Sequence, residues 1–431
     1  RRAATARGGA RARRRLATHA AAAAAGLPAG VLPQEVLAHA APARVGKTRV
    51  AVLLSGGVDS SVALAILRAA GHDVVAFYLQ IWFQEDFENF WGECPWEEDL
   101  RYAQETCDAL GVELRTVPLT KEYWERVVEH SIGEIRRGRT PNPDVLCNSR
   151  VKFGCFYDYL DNNTEPGEFG LVASGHYARV LRAGDVEGGA GADASVPTTR
   201  VAACADSFKD QTYFLANLRQ EQVKRALFPL AGLQKAEVRG YAERFQLPTA
   251  GRKDSQGICF LGKVKFSEFV ARHLGETKGD IVEAESGEKL GEHRGFWFHT
   301  VGQRQGLGLG NGPWYVVRKD PTANVVYVSK NYYASDKKRD SFEAAEFNWL
   351  GGAPPEGAAE GAALTLSVKV RHGEDRYEDA TVHFAEGGER ASVSLPEDDQ
   401  GLAPGQYAVF YDGDVCLGCG IIQAAEDGSD C

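Results

Sequence analysis

The 431-residue sequence contains no methionine, not even at its first position, so the chain reads as a fragment, a processed form or an altered one. It has no apolar run close to the roughly 20 residues a membrane-spanning helix needs, and no membrane partner is expected. Cysteine is sparse: nine over this length are too few for a disulfide scaffold, and no secretory signal is visible. An odd count suits a reducing compartment with one or two reactive thiols. Acidic residues are missing from positions 1–34, which hold seven arginines, and Ala20–Ala25 is an alanine tract. That composition suits an organellar transit peptide, for chloroplast or mitochondrion, apart from its shortage of serine. The alternative is a plain tail on a cytoplasmic protein. Residues 1–44 carry +7 and the whole chain −10, so the remainder carries −17. So acidic a body is no general polyanion binder, and a nucleic-acid site on it must be a local basic patch.

What is present is organised around Val50–Ser61, VAVLLSGGVDSS. Val50–Leu54 suits a strand buried on both faces, and Ser61–Ala70 a helix that Gly71 ends. Between them Ser55-Gly56-Gly57-Val58-Asp59-Ser60 forms a strand–loop–helix turn. Its free amides and the positive end of the helix dipole make an anion site. Asp59 could orient a metal ion or a backbone amide. An ordinary Gly-rich turn is the plainer reading, but the bracketing hydroxyls of Ser55 and Ser60 favour the anion site. Gly46-Lys47-Thr48 is not the end of a Walker A loop, because position 41 is Ala and the triplet precedes the strand. SGGVDS resembles the PP-loop of the ATP pyrophosphatases, which cleave ATP to AMP and pyrophosphate.

Strand and helix signals then alternate, as in a parallel sheet with right-handed crossovers. Strands are expected at Val74–Leu79, Val112–Val117 and Leu171–Arg179, with helices at Glu97–Leu110 and Glu122–Arg137. Two cysteine stretches stand out. In Pro141-Asn142-Pro143-Asp144-Val145-Leu146-Cys147, Asp144 could cap a helix and place Cys147 in its first turn, where the dipole favours thiolate. A buried structural cysteine is equally compatible with the position. In Lys253-Asp254-Ser255-Gln256-Gly257-Ile258-Cys259-Phe260, neighbouring cations would favour thiolate, and a thiol packed beside Phe260 is the alternative. Gly175 and His176 follow a strand and would face the same crevice as Ser55. Lys209 and Gln211 suit either a phosphate or a solvated helix start. Residues 184–199 read as a solvated insertion in a hairpin.

Beyond Phe266 short alternating runs with glycine turns predict a small β domain, with strands that include Gly295–Val301. A Gly/Pro/Ala-rich linker is expected over 333–363 and a β-barrel over 364–425. Arg371, His372 and Gln406 lie at strand or turn ends there, where solvated surface is the plain reading. Cys416 and Cys419 lie three apart in a strand and are expected to point to opposite faces, so no redox or zinc site is read from them.

SGGVDS at 55–60, PNPDVLCN at 141–148, SGHYAR at 174–179, FKDQTYFL at 208–215, KDSQGICF at 253–260, TVGQRQGLGLG at 300–310 and APGQYAVFYDGDVCLG at 403–418 occur in that order. Together they resemble the tRNA-specific 2-thiouridylase family. The likeness implies an α/β fold: a doubly wound parallel-sheet PP-loop domain at 45–265, a central β domain at 266–332 and a C-terminal β-barrel, with 1–44 as leader or tail. It implies a tRNA-uridine 2-sulfurtransferase that uses ATP, with Mg2+, to thiolate the wobble uridine. Leu53, Leu54, Ser55, Gly56, Gly57, Val58, Asp59, Ser60, Leu79 and Gly175 would bind ATP.

By the same likeness Cys147 would be the nucleophile, Cys259 would carry a persulfide, the two would end as a disulfide, and Asp144 would act as acid or base. Asn142, Pro143, Asp144, His176, Lys209, Asp210, Gln211, Arg371, His372 and Gln406 would contact tRNA in its anticodon region. A desulfurase or relay protein would donate the sulfur, to a monomeric enzyme. An iron–sulfur cluster on Asp144, Cys147 and Cys259 is an alternative carrier, and no other metal is expected. The chain departs from the family at Leu53-Leu54, where Gly-Met is usual, and at Cys419, where Gly is usual. Chemistry agrees with the assignment: replacing a carbonyl oxygen by sulfur needs a better leaving group, which AMP supplies, and a thiol exchange to release the sulfur. The competing readings are a PP-loop synthetase acting on a small molecule and an inactive RNA-binding scaffold.

Overall fold

The structure is a computed structural model that describes residues 32–40, 49–81, 95–182, 199–254, 266–332, 339–358, 361–373, 375–399 and 401–424. β1 (Arg49–Leu53), β2 (Asp73–Gln80), β3 (Glu113–Pro118), β4 (Leu171–Ala173) and β7 (Ala226–Leu227) form a parallel sheet in the order β3-β2-β1-β4-β7. The alternation of side chains along each strand divides the core in two. Ala51, Leu53, Val75, Phe77 and Val172 enter one buried cluster, and Val50, Val52, Leu54, Val74, Ala76 and Ala173 enter the other. Helices cover both faces, which is why β1 and β2 read as apolar runs, whereas the edge strand β3 does not. The chain winds outward from β1 to β2 and β3 on one side and to β4 and β7 on the other. The carboxyl end of β1 is therefore the topological switch point, where such sheets bind ligands.

Several expectations meet a different backbone. The stretch expected as one helix over Glu122–Arg137 is helical from Thr120 to Arg136, but Trp124–Val128 within it is π-helix. The strand expected over Leu171–Arg179 ends at Ala173. Arg179–Leu181 (β5) instead pairs with Arg200–Ala202 (β6), so a hairpin does form around the 184–199 insertion, most of which lies outside the described residues. This hairpin leaves the first domain and adds to the C-terminal barrel through β6. Within the 1–44 leader or tail, Gln34–Ala40 is a helix docked on the core, with Val36 and Ala40 buried and the Ala40 carbonyl 3.0 Å from His72 Nε2.

The central domain is a four-stranded sheet of β8 (Gly279–Glu283), β9 (Lys289–His293), β10 (Tyr315–Asp320) and β11 (Val325–Ser329), in the order β10-β11-β8-β9. Gly295–Val301, expected as a strand, holds the 3-10 turn Phe296–Phe298.

The last domain joins β12 (Ser341–Trp349), β13 (Ala363–Lys369), β14 (Tyr377–Phe384), β15 (Arg390–Ser394), β16 (Tyr407–Asp412) and β17 (Val415–Ile422). β12 pairs with both β15 and β17, which closes a six-stranded barrel and removes the open edges. The expected linker 333–363 thus contributes a full barrel strand, Ser341–Trp349, between its ends.

Candidate active site

β1 delivers the chain into Leu54 and Ser55, and the Leu54 amide still bonds the Phe77 carbonyl at 2.9 Å. Gly56 then takes φ +76, a left-handed turn that glycine makes without strain. Gly57 is the N-cap of the helix Val58–Ala69 and has no side chain to cap it. A helix start of that kind leaves its first amides to solvent or to an anion. Ser60 ties the turn together: its hydroxyl accepts from the Ser55 amide at 3.2 Å, donates to the Gly57 carbonyl at 3.1 Å and lies 3.2 Å from the Ser55 hydroxyl.

Two glycines keep the backbones close. A Cβ on Gly56 would fall 2.2 Å from the Asp99 carbonyl oxygen. A Cβ on Gly175, just beyond β4, would fall 2.7 Å from the Ser60 nitrogen and 2.8 Å from the Asp59 carbonyl carbon. Leu53 and Leu54 are buried on opposite faces of the sheet, and Leu79 is half-buried at the end of β2.

Asp59 is held by groups distant in sequence. Lys235 Nζ reaches its two oxygens at 2.7 and 2.9 Å, and the Tyr177 hydroxyl donates to it at 2.9 Å. Lys235 also lies 3.0 Å from Asp254, which Arg239 and Lys209 approach as well. Burial opposes the charged form of Asp254, but the bonds and charges of Lys235 and then Arg239 outweigh it and hold its carboxyl below the usual range. Burial, and next the charge on Asp59, push the Tyr177 phenol up. Arg252 donates to the Gly56 carbonyl at 2.7 Å and to Asp99 at 2.8 Å, with its guanidinium 4.4 Å from the Tyr102 ring centre. Sequence reading missed Lys235, Tyr177, Arg239 and Asp99. No local motif marks them, because their partners lie on other elements.

The first cysteine sits at the end of a short helix, Pro143–Leu146. Its cap is Asn142, whose Oδ1 accepts from the Val145 amide at 3.3 Å, with proline at the first helical position where no N–H is missed. Asp144, expected as the cap, is the second residue of the helix. Cys147 follows the first turn, and its amide already bonds the carbonyls of Pro143 and Asp144. Cys147 also opens a π-helix, Cys147–Cys155, a form that recurs at functional sites. Gly154 permits the wider turn, since a Cβ there would meet the Ser149 carbonyl oxygen at 2.9 Å. Cys147 is buried in the same cluster as Tyr213 and Tyr407, and Asp144 is half-buried. Cys259 lies outside the described residues.

Three family profiles cover the chain in order: "tRNA methyl transferase HUP domain" over residues 48–263, "tRNA methyl transferase PRC-barrel domain" over 267–330 and "Aminomethyltransferase beta-barrel domain" over 339–422. The tRNA-specific 2-thiouridylase MnmA 2 of Bacteroides fragilis is 43% identical over 375 residues, 86% of this chain and 99% of the relative. MnmA 1 of Bacteroides thetaiotaomicron is 42% identical over the same shares, and MnmA of Parabacteroides distasonis is 40% identical over 380 residues, 86% of this chain and 98% of the relative. The chain belongs to the tRNA-specific 2-thiouridylase family.

The further residues that the 2-thiouridylase likeness points to fall into two groups. One lines the seam between the first domain and the barrel. Gln406 donates to the Thr140 carbonyl at 3.1 Å and, with its amide oxygen, lies 3.5 Å from Asn142 Nδ2, while the Pro404 carbonyl accepts from the Thr140 amide at 2.7 Å. His372 stacks on Phe214 with ring centres 4.5 Å apart. Burial, and then the charge of Lys369, lower the His372 pKa, while the Asp210 backbone and the charges of Asp210 and Asp144 oppose the shift. Arg371 is paired with the buried Asp399, which also accepts from the Tyr377 hydroxyl at 2.6 Å.

The second group spans Lys209, Asp210 and Gln211. Lys209 keeps its ammonium 3.4 Å from Asp254. Asp210 is buried, accepting from the amides of Cys204 at 3.0 Å and Thr212 at 3.2 Å. Gln211 accepts from the Tyr177 amide at 3.0 Å, pinning the turn after β4. In that turn His176 Nδ1 lies 2.7 Å from the Ser174 hydroxyl, and the ring packs against Phe153 and Phe228. Burial drives the His176 pKa well below its usual value, so the imidazole is neutral at pH 7. Pro143 is buried.

In this 2-thiouridylase chain Cys416 and Cys419 depart from their expected arrangement. The ladder of β16 and β17 shifts register around Leu417, so both thiols enter one buried cluster instead of opposite faces. Burial pushes both thiols up, which makes them inert towards nucleophilic chemistry. Cys107, Cys155, Cys204, Cys416 and Cys419 are free thiols, and among the described residues no group of three His, Cys, Asp or Glu could hold a metal ion.

Proposed function

We propose that the chain catalyses ATP-dependent 2-thiolation of the wobble uridine of tRNA. The observation that carries the reading is the side-chain-free cradle of Gly56 and Gly175 around an uncapped helix start at the switch point of the sheet. Family membership supports the substrate, and the loop's cradle fits a polyphosphate. Mg2+ would be held mainly by phosphate oxygens and water, because Lys235 and Tyr177 already occupy the Asp59 carboxylate.

The uracil O2 attacks the α-phosphorus of ATP, and pyrophosphate leaves on the amides of the loop. The outer sulfur of a persulfide on Cys259 attacks C2, and AMP leaves with the original oxygen. The Cys147 thiolate then attacks the inner sulfur on Cys259. The S–S bond breaks, the sulfur stays on C2, and the two cysteines end as a disulfide that an external thiol must reduce. Asp144 moves the proton at the base. The tRNA contacts are assigned to Asn142, His176, Lys209, Arg371, His372 and Gln406, and the sulfur arrives from a separate donor protein. The enzyme acts as a monomer, and the Arg/Ala-rich start directs it to an organelle.

Pyrophosphate release that requires a tRNA with uridine at the wobble position, followed by mass spectrometry of a persulfide on Cys259, tests the reading. ATP–pyrophosphate exchange driven by a small acid or amine without tRNA would assign the loop to a synthetase instead.

A further inference from the structure

Phe208 is 64% exposed and is the one exposed large hydrophobic side chain among the described residues. Isolated surface hydrophobics are ordinary, but the turn that carries this one is unusually fixed. Two buried aspartates flank it. Asp206 accepts from the Lys209 amide at 3.1 Å and from the Lys235 amide at 2.8 Å, and its own carbonyl accepts from the Cys204 thiol at 3.1 Å. Asp210 accepts from the Cys204 and Thr212 amides and from the Thr212 hydroxyl. These two staples fix the backbone of the turn on either side of the ring.

Of the other two aromatics on the same segment, Tyr213 is buried and Phe214 has its face taken by His372. No ring among the described residues stacks on Phe208. Its neighbour is a cation instead: Lys209 Nζ lies 5.6 Å from the ring centre. The turn also borders the nucleotide loop, since Asp206 binds the amide of Lys235 and the ammonium of Lys235 rests on Asp59.

A solvent-facing aromatic on a tethered turn beside a lysine is the arrangement that stacks unpaired bases of single-stranded RNA. We propose that Phe208 is a stacking platform for an unpaired base of the anticodon loop. The inference rests on the tRNA reading above and deepens it. A uridine drawn out of the loop leaves a neighbouring base with one face bare, and Phe208 supplies a surface for such a face at the rim of the site. The cation favours RNA over an apolar protein partner, on a body whose net charge is otherwise acidic.

The test measures binding of a labelled, unmodified tRNA transcript to the full chain and to the Phe208→Ala, Phe208→Trp and Phe208→Tyr variants. Phe208→Ala is expected to weaken binding about 5- to 100-fold, and the aromatic variants are expected to hold it. An abasic substitution at one anticodon-loop position should weaken the native chain by a similar factor and add nothing to Phe208→Ala. ATP binding should be unchanged in all variants, which shows that the fold is kept. Equal binding by the native chain and Phe208→Ala overturns the proposal. So does unchanged RNA binding with slower sulfur delivery from a protein donor, which would make Phe208 a protein-docking residue. A native chain that binds no tRNA transcript at all defeats the tRNA reading itself, a result separate from either.

Discussion

Lys235 and Asp59 are 176 residues apart in sequence, yet the lysine ammonium sits 2.7 and 2.9 Å from the two oxygens of the loop aspartate. The same ammonium lies 3.0 Å from Asp254, so one half-buried cation joins the nucleotide loop to the start of the second cysteine stretch. Removing it leaves two carboxylates facing each other without their shared cation. Lys235→Ala is expected to lower unfolding free energy by about 1–3 kcal/mol and to raise the KM for ATP. Urea unfolding and initial rates at varied ATP check both parts, and Lys235→Arg should recover most of each.

Gly175→Ala tests the cradle. The added Cβ would meet the backbone of Asp59 and Ser60 at 2.7–2.8 Å, and backbone cannot swing aside as a side-chain tip can. The helix start must move, and ATP affinity should fall at least about tenfold, or 1.4 kcal/mol, by titration calorimetry. Gly240→Ala is the control: nothing lies within 4 Å of its Cβ, and alanine in its helix should stabilise by about 0.5–1 kcal/mol.

The central domain should be acid-sensitive through His299. Burial, then the charges of His293, Lys319 and Arg294, push its pKa down to about 4 from the ordinary 6.5. Below pH 6.5 the unfolded chain takes the proton first. The stability contributed is therefore complete above about pH 6.5 and is lost progressively towards pH 4, up to about 3 kcal/mol. Unfolding free energies at several pH values should show this slope, and His299→Gln should flatten it.

The helix Gln34–Ala40 predicts where any leader can end. Val36 and Ala40 are buried in the core, and the Ala40 carbonyl bonds His72. Deleting residues 1–31 should leave stability unchanged within about 0.5 kcal/mol. Deleting 1–40 should cost about 2–4 kcal/mol. Sequencing the N-terminus of the protein from cells should find any processed end before Leu32.

How far the sequence discloses this molecule depends on the range of the forces involved. The β1 strand, its loop and helix are legible because apolar run, double glycine and helical pattern are local signals. β12 was hidden because its alternation breaks at Ala345–Glu346, where its pairing shifts register, and its ladder partner β17 lies some 70 residues onward. The bulge at Leu417 reversed the expected facing of Cys416 and Cys419, since one extra residue shifts a period of two. Asn142 displaced Asp144 as cap because Pro143 suits the first helical position, which sets the cap two residues before Asp144. In the site, the loop residues and Gly175 could be named from sequence. Lys235, Tyr177 and Arg239 could not, because only the packing of distant helices and strands selects them as partners.

The central claim is tested most directly by nucleoside analysis of tRNA after incubation with the full chain, ATP and a persulfide donor. The account predicts 2-thiouridine at the wobble position with the native protein and none with Cys147→Ser or Cys259→Ser, while both variants still bind ATP. Undiminished 2-thiouridine with either serine variant would contradict it.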